Sequence, residues 1–426
     1  MAGSELTPQE QIDLIFQNLQ EVMRPDIIED IIFNQKRSPV VYWGSATTGR
    51  PHCGYFVPMV KIAQLLHAGC HVKILLADIH GFLDNLKAPI DLVKVRAGYY
   101  KYVIQAALKA VGVSIDKLEF ILGSSYQLTP EYTMDLFKLS SMVSEHDSKK
   151  AGAEVVKQSA NAPLSGLIYP LMQTLDEVHL KVDVQFGGAD QRKIFALAAE
   201  VSGKIGPPGK QVKDGYGTRA HLMNPMVPGL AGGKMSASDP DSKIDLLEEP
   251  KVVEKKLKKA FAVPKEVEGN GIISFVEYVL LPISALKNNG KGRFVVEKRE
   301  EPPLEYTDIE KLKEDYKNDI LTPQLLKSGV TKALNVLLEP IRAEFESNSE
   351  WQQLEKEAYP TVDTQKKQKK VKNKGSRHPG AGKKNEDAQV VAQPDGSLEG
   401  KEKEKVSLGA GVEDAMEKLE VANKEV

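Results

Sequence analysis

Four short β-rich apolar runs, spaced by stretches of helical period, constrain this chain more than any other feature. "SPVVYWG" (38–44), "HVKILLAD" (71–78), "LEFILG" (118–123) and "VDVQFGG" (182–188) each read as a buried strand. Between them, "YFVPMVKIAQLLHAG" and residues 90–111 carry apolar positions at helical spacing. Strands alternating with helices predict an α/β domain built on a largely parallel sheet. Ligands of such sheets lie beyond the carboxyl ends of the strands, where Tyr42, Gly44 and the loop after them are expected.

The flanking regions read differently. Residues 8–36 predict one or two N-terminal helices. After about residue 245 the strand signals fade, and "EPKVVEKKLKKAF", "ISFVEYVLLPISAL", "DIEKLKEDYKNDI" and "TPQLLKSGVTKALNVLLEPIRAEF" are helical in period. From Thr361 the composition has little to bury. Within that tail, residues 366–384 hold nine Lys or Arg and no acid, whereas 386–425 hold eleven acids against five lysines. No run of 18 apolar residues is present, so no membrane span is read. Cys53 and Cys70 are the only two cysteines, which excludes a disulfide framework or zinc site and fits a reducing compartment. The N-terminus lacks the apolar core of a signal peptide.

Three stretches carry chemistry. In "YWGSATTGRPHCGYF" (42–56), small residues let backbone approach a phosphate. The loop ends at a helix start that favours anions; His52 can donate to a phosphate oxygen there, and Gly54 leaves room for a base or ribose. An ordinary strand–loop–helix turn with a capping histidine gives the same pattern. In "APLSGLIYPLMQTLDEVHL" (162–180), Leu164, Ile168, Leu171, Leu175 and Val178 form a core stripe. Tyr169, Gln173 and Asp176 fall on roughly the opposite side, either as a solvated face or as a pocket wall. "QFGGADQRK" follows and brings Gln191 to the start of another helix. In "LAGGKMSASDP" (230–240), Gly232 and Gly233 give mobility, Lys234 charge, and Ser236 and Ser238 hydrogen-bonding groups. That suits a cation arriving at a polyphosphate during reaction, or a flexible linker.

Taken together, the three stretches resemble a class I aminoacyl-tRNA synthetase: "HCGY" is similar to the HIGH-type signature and "KMSAS" to the KMSKS-type one. "YWGSATTGRPHCGYFVPM", "IYPLMQTLDEVHLKVDVQFGGADQRKIF" and "LMNPMVPGLAGGKMSAS" resemble most closely the tyrosyl-tRNA synthetases of the cytosolic eukaryotic and archaeal type. The likeness spans about residues 10–355. Two positions depart from the signatures, Tyr55 for the second histidine and Ala237 for the second lysine.

Period, composition and the resemblance together divide the chain into five regions. They are an N-terminal helical segment (1–36), a Rossmann-like catalytic domain (37–230), a mobile KMSKS-type loop (231–245), a helical anticodon-binding domain (246–360) and a low-complexity charged tail (361–426). The resemblance implies ATP with Mg2+ as substrate, no tightly bound cofactor and no resident metal. Tyrosine and tRNA(Tyr) are the implied partners, with a homodimer and no membrane. By the same carry-over, Tyr42, Tyr169, Gln173, Asp176 and Gln191 hold tyrosine, with Tyr42 and Asp176 at the phenolic hydroxyl. Gly44, Thr47, Thr48, His52, Gly54, Lys234, Met235, Ser236 and Ser238 hold ATP, and Lys234 and His52 are the catalytic pair. A cytoplasmic location is expected, and "KKLKKAF" (255–261) fits either an RNA-facing or a nuclear-import cluster, or a solvated helix face. A tryptophanyl enzyme would share the architecture but needs a pocket for an indole. A small nucleotidylyltransferase would need neither the helical domain nor the Lys234 loop. A retired RNA-binding protein would not need His52 and Lys234.

Overall fold

Six strands form one sheet, β1 (Glu21–Met23), β2 (Val40–Ala46), β3 (His71–Ala77), β4 (Leu118–Leu122), β5 (Val184–Gly188) and β6 (Ala220–Asn224), in the order β1-β6-β5-β2-β3-β4. The computed structural model describes residues 6–360 except 85–87, 116–117, 157–162, 206–215, 230–242 and 289. All neighbouring strands pair in parallel except β1 with β6. β2 and β3 are buried through most of their length, as expected of strands covered on both faces by crossover helices.

From β2 the chain moves outward through β3 to β4, then returns to lay β5 and β6 on the other side of β2. The strand order therefore reverses between β2 and β5. Tyr42 is level with Gln185, and Trp43 with Phe186. A crevice opens at such a reversal, outside the carboxyl ends of the two strands. Those ends are Gly44–Ala46 and Gly187–Gly188.

Two expectations are corrected and a third is refined. The N-terminal region is not helical throughout: after the helix Pro8–Phe16 comes β1, which pairs antiparallel with β6 along the sheet edge. Neither strand has a period to read, because β1 is three residues long and β6, "AHLMN", places polar His221 and Asn224 in the interior. The region after 245 is mostly helical but also holds a hairpin, β7 (Phe294–Val296) with β8 (Leu304–Tyr306). Leu164 is not in the core. It precedes the helix Ser165–His179 and is 75% exposed, so the apolar stripe begins at Ile168.

The core runs continuously across the expected 245/246 boundary. Apolar residues from Ile12 to Ala358 join one cluster, in which fully buried Trp351 stacks on Tyr102 of the helix Ile90–Val111 with ring centroids 5.8 Å apart. The tail 361–426 lies outside the described residues.

Candidate active site

A cavity of about 390 Å³ occupies the crevice. Tyr42, Gly44, His52, Gly54, Tyr169, Gln173, Asp176 and Gln191 all line it, together with His80, Asp84 and Asp190. Residues separated by up to 149 positions in sequence thus meet because β2 and β5 are neighbours and the helix Ser165–His179 leads into β5.

Asp176 is fully buried. Its Oδ1 accepts three hydrogen bonds, from Tyr126 Oη (2.7 Å), Gln127 Nε2 (2.8 Å) and Tyr132 Oη (2.9 Å). Its Oδ2 is buried with no hydrogen-bond partner among the described residues. His80 Nε2 lies 3.8 Å away, beyond hydrogen-bond range, and that nitrogen is also without a hydrogen-bond partner among the described residues. Gln127 Nε2 lies 3.4 Å from His80 Nδ1; where that amide donates, the ring proton sits on Nε2. Burial lowers the imidazole's pKa, which keeps the ring neutral. A buried acceptor and a buried donor thus both await a polar group, an arrangement that native interiors avoid unless a ligand or water completes it.

The tyrosines around this carboxylate are donors. Burial first, then the Asp176 charge, raises the pKa of Tyr42 and Tyr132 well above the ordinary phenol range, and Tyr126 moves in the same direction. Tyr42 Oη donates only a long bond, 3.4 Å, to the Gln173 carbonyl. It can exchange that bond for a ligand at little cost.

At the other end of the polar row, Gln173 Nε2 donates to Gln191 Oε1 at 3.1 Å, and Gln191 Nε2 donates to Asp190 Oδ1 at 3.2 Å. Tyr169 sits edge-on to His80, centroids 4.6 Å apart. Its phenol pKa is raised by burial and then by the charges of Asp84 and Asp190. Two carboxylates beside a phenol and two amides suit an ammonium group. The double glycine explains the local fold: a Cβ on Gly187 would stand 2.9 Å from Gln191 Cγ and 3.0 Å from Phe195 Cζ, so only glycine lets the turn fold back on the strand.

The loop after β2 ends at His52, which caps the short turn Cys53–Tyr55 before the helix Phe56–His67. His52 Nδ1 accepts from Gly54 N at 3.2 Å, which leaves Nε2 as the N–H donor. Burial, then the nearby Lys243, lowers its pKa to about 4, with Asp245 opposing. It is therefore a neutral donor at the cavity edge. Cys53 is buried, and burial pushes its thiol up to about 12, which fits a packing role.

The chain matches the family described as tRNA synthetases class I (W and Y) over residues 34–339. It is 56% identical over 391 residues to the cytoplasmic tyrosine–tRNA ligase of Saccharomyces cerevisiae, covering 90% of this chain and 97% of that one. The chain belongs to this synthetase family, on its tyrosyl branch. The cytoplasmic tyrosine–tRNA ligase of Xenopus tropicalis is 50% identical over 376 residues, covering 88% of this chain and 68% of its own. Among solved structures, tyrosyl-tRNA synthetase from Archaeoglobus fulgidus, complexed with L-tyrosine, superposes with a TM-score of 0.70. It is 34% identical and covers 79% of this chain and 99% of that one.

Not every expected synthetase residue reaches the cavity. Thr47 is fully buried and spends its hydroxyl on the Val93 carbonyl at 3.1 Å, and neither it nor Thr48 lines the cavity. Lys234, Met235, Ser236 and Ser238 lie outside the described residues. Sequence reading missed His80, Asp84, Tyr126, Gln127 and Tyr132. His80 carried a usable signal, since it stands three residues past the end of β3 in "LADIH", at the carboxyl edge of the sheet. Tyr126, Gln127 and Tyr132 sit in short helices with no distinguishing pattern. Of the basic cluster, Lys255, Lys258 and Lys259 are exposed, while Lys256 pairs with Glu248.

Proposed function

We propose that this chain is a tyrosine–tRNA ligase. It activates tyrosine with ATP to form tyrosyl-adenylate and pyrophosphate, then transfers the tyrosyl group to the 3′-terminal adenosine of tRNA(Tyr). The observation that carries this reading is Asp176. One oxygen is held by three donors, and the other is buried, unpartnered and on the wall of the cavity. A substrate phenol donates to that Oδ2, with Tyr42 beside it. Phenylalanine would leave the carboxylate unpaired, at a cost of about 1–3 kcal/mol.

Tyr169, Gln173 and Gln191 hold the ammonium and carboxylate end, with Asp84 and Asp190 supplying charge. The substrate carboxylate then attacks the α-phosphorus of ATP, and the α–β bridging bond breaks to release pyrophosphate. No protein nucleophile takes part. The protein positions the two substrates and stabilises charge. His52 donates from Nε2 to the phosphates, Gly44 and Gly54 leave room for the nucleotide, and Lys234 closes on the leaving pyrophosphate. Mg2+ enters with ATP as part of the substrate.

The cytosol is the proposed compartment. The helical part, with exposed Lys255, Lys258 and Lys259, is the proposed tRNA-facing surface, and a homodimer the proposed assembly. Amino-acid-dependent exchange of pyrophosphate into ATP tests the reading. Across a panel of amino acids, only tyrosine should support rapid exchange. In Asp176→Ala the tyrosine-to-phenylalanine ratio should fall at least about tenfold, since 1.4 kcal/mol is a factor of ten. An unchanged ratio removes Asp176 from the pocket, and exchange with tryptophan instead of tyrosine overturns the assignment.

A further inference from the structure

The nucleotide-side loop between β2 and His52 is gripped by the helix Ile90–Val111 and by Tyr359. Its carbonyls point away from the sheet onto three side chains. Thr48 O accepts from Arg96 Nη1. Gly49 O accepts from two phenols at once, Tyr100 Oη at 2.5 Å and Tyr359 Oη at 2.7 Å. The Tyr359 ring lies against two guanidinium groups, with Arg50 Cζ 4.6 Å and Arg96 Cζ 4.9 Å from its centroid. Arg50 is ion-paired with Glu355 at 2.7 Å, and Arg96 Nε donates to the Ala358 carbonyl at 3.1 Å. Tyr99 closes the group edge-on to Tyr359, centroids 5.2 Å apart.

We infer that Tyr359 is a positioning residue for ATP. It holds the loop 48–50 in the shape that presents His52 and Gly54 to the nucleotide. The inference rests on the ligase reading above, and it deepens that reading at the nucleotide half of the site.

The physical argument starts from the peptide unit. A carbonyl oxygen has two lone pairs, and two hydroxyls on Gly49 O occupy both. Because the peptide is planar and trans, fixing that oxygen fixes the Arg50 N–H on the opposite side. A loop of Thr, Thr and Gly has many backbone states available, and each residue fixed loses conformational entropy. Cation–π contacts and charge-assisted bonds shared among Arg50, Arg96, Glu355 and Tyr359 offset that cost before the ligand binds. A preorganised loop binds its ligand more tightly than one that must be ordered on arrival. Burial also raises the Tyr359 phenol pKa, so its hydroxyl remains a donor. The tyrosine half of the cavity has its own supports, Tyr126, Gln127 and Tyr132, and does not depend on this clamp.

The test is pyrophosphate exchange by the full chain with ATP varied at saturating tyrosine, then tyrosine varied at saturating ATP. Tyr359→Ala should raise the KM for ATP at least about fivefold and leave the KM for tyrosine within twofold. Tyr359→Phe keeps the ring between the arginines and loses only the bond to Gly49, so its KM for ATP should fall between wild type and Tyr359→Ala. Equilibrium binding of ATP to each protein should follow the same order. An unchanged KM for ATP in a folded Tyr359→Ala overturns the inference. Equal rises in both KM values, with a lowered melting temperature, also overturn it by assigning Tyr359 a general structural role. If Tyr359→Ala does not fold, Tyr359→Phe decides, and a wild-type KM for ATP in that variant overturns the inference. Absence of tyrosine-dependent exchange in wild type would instead overturn the ligase reading.

Discussion

His52 carries the charge logic of the nucleotide loop. Free, an imidazole titrates near 6.5, whereas burial and Lys243 hold this one at about 4. Between those two values the unfolded chain binds a proton that the folded chain refuses. Falling pH therefore favours unfolding from about 6.5 downward, and above 6.5 the group has no effect on stability. The slope reaches at most about 1.4 kcal/mol per pH unit. His52→Gln keeps a neutral hydrogen-bonding side chain and removes the titration. Urea unfolding at pH 7.5 and pH 5 should show wild type losing on the order of 2 kcal/mol more than the variant. Equal losses would mean that the folded protein protonates His52 normally. The neutral state also has a functional meaning: the ring offers phosphate a hydrogen bond without a standing positive charge, and leaves cationic stabilisation to Lys234.

Elements were legible where their period was long enough to read. The pattern over 90–111 coincides with the helix Ile90–Val111, and four strands of the sheet were visible as β-rich runs. Burial demands them in β2, β3 and β5, whereas β4, expected to be buried, is a partly buried edge strand that showed only through its β-favouring residues. β1, β7 and β8, at three residues each, are held by tertiary pairing and carry no pattern of their own. The tyrosine-side face of Ser165–His179 was legible because three polar residues at i, i+4 and i+7 contradict the apolar requirement of a buried helix. Its supports were not, because Tyr126, Gln127 and Tyr132 matter only through contact with Asp176. Lys61 is a similar case. It lies on the helix Phe56–His67 and is almost fully buried, yet it has no carboxylate partner among the described residues. Its Nζ donates to the carbonyls of Leu14 (3.4 Å), Ile15 (3.0 Å) and Gln17 (2.5 Å), closing the C-terminal end of the helix Pro8–Phe16. Burial lowers the pKa of this ammonium to about 7, and where it is protonated its charge opposes the negative end of the helix dipole. Lys61→Met fills the same space and leaves those carbonyls unpaired, at a cost of about 1–3 kcal/mol. Limited proteolysis should then cut residues 17–24 faster than in wild type. An unchanged digestion rate would show that packing alone seats the first helix.

At the scale of the whole molecule, the helix Pro130–Ser140 faces two ways. Its inner side buries Tyr132, Asp135 and Leu139, and Tyr132 reaches Asp176. Its outer side exposes Met134 and Phe137, three residues apart and so on one face. Phe137 is 62% exposed, and Leu128 and Met142 add exposed apolar side chains from the segments just before and after the helix. Large apolar groups gathered in this way mark an interaction surface, and a two-fold dimer pairs one such surface with its copy. The proposed homodimer therefore closes over the helix that steadies the Asp176 carboxylate. Phe137→Asp would place two charges opposite each other in that contact. Sedimentation equilibrium should show wild type at twice the chain mass and the variant at the chain mass. Tyrosine exchange should fall with it by about tenfold, the equivalent of 1.4 kcal/mol, because a helix uncovered on its outer face holds Tyr132 less firmly. Wild type sedimenting as a monomer would remove the dimer. A fully active monomeric variant would keep the dimer and disconnect it from the site.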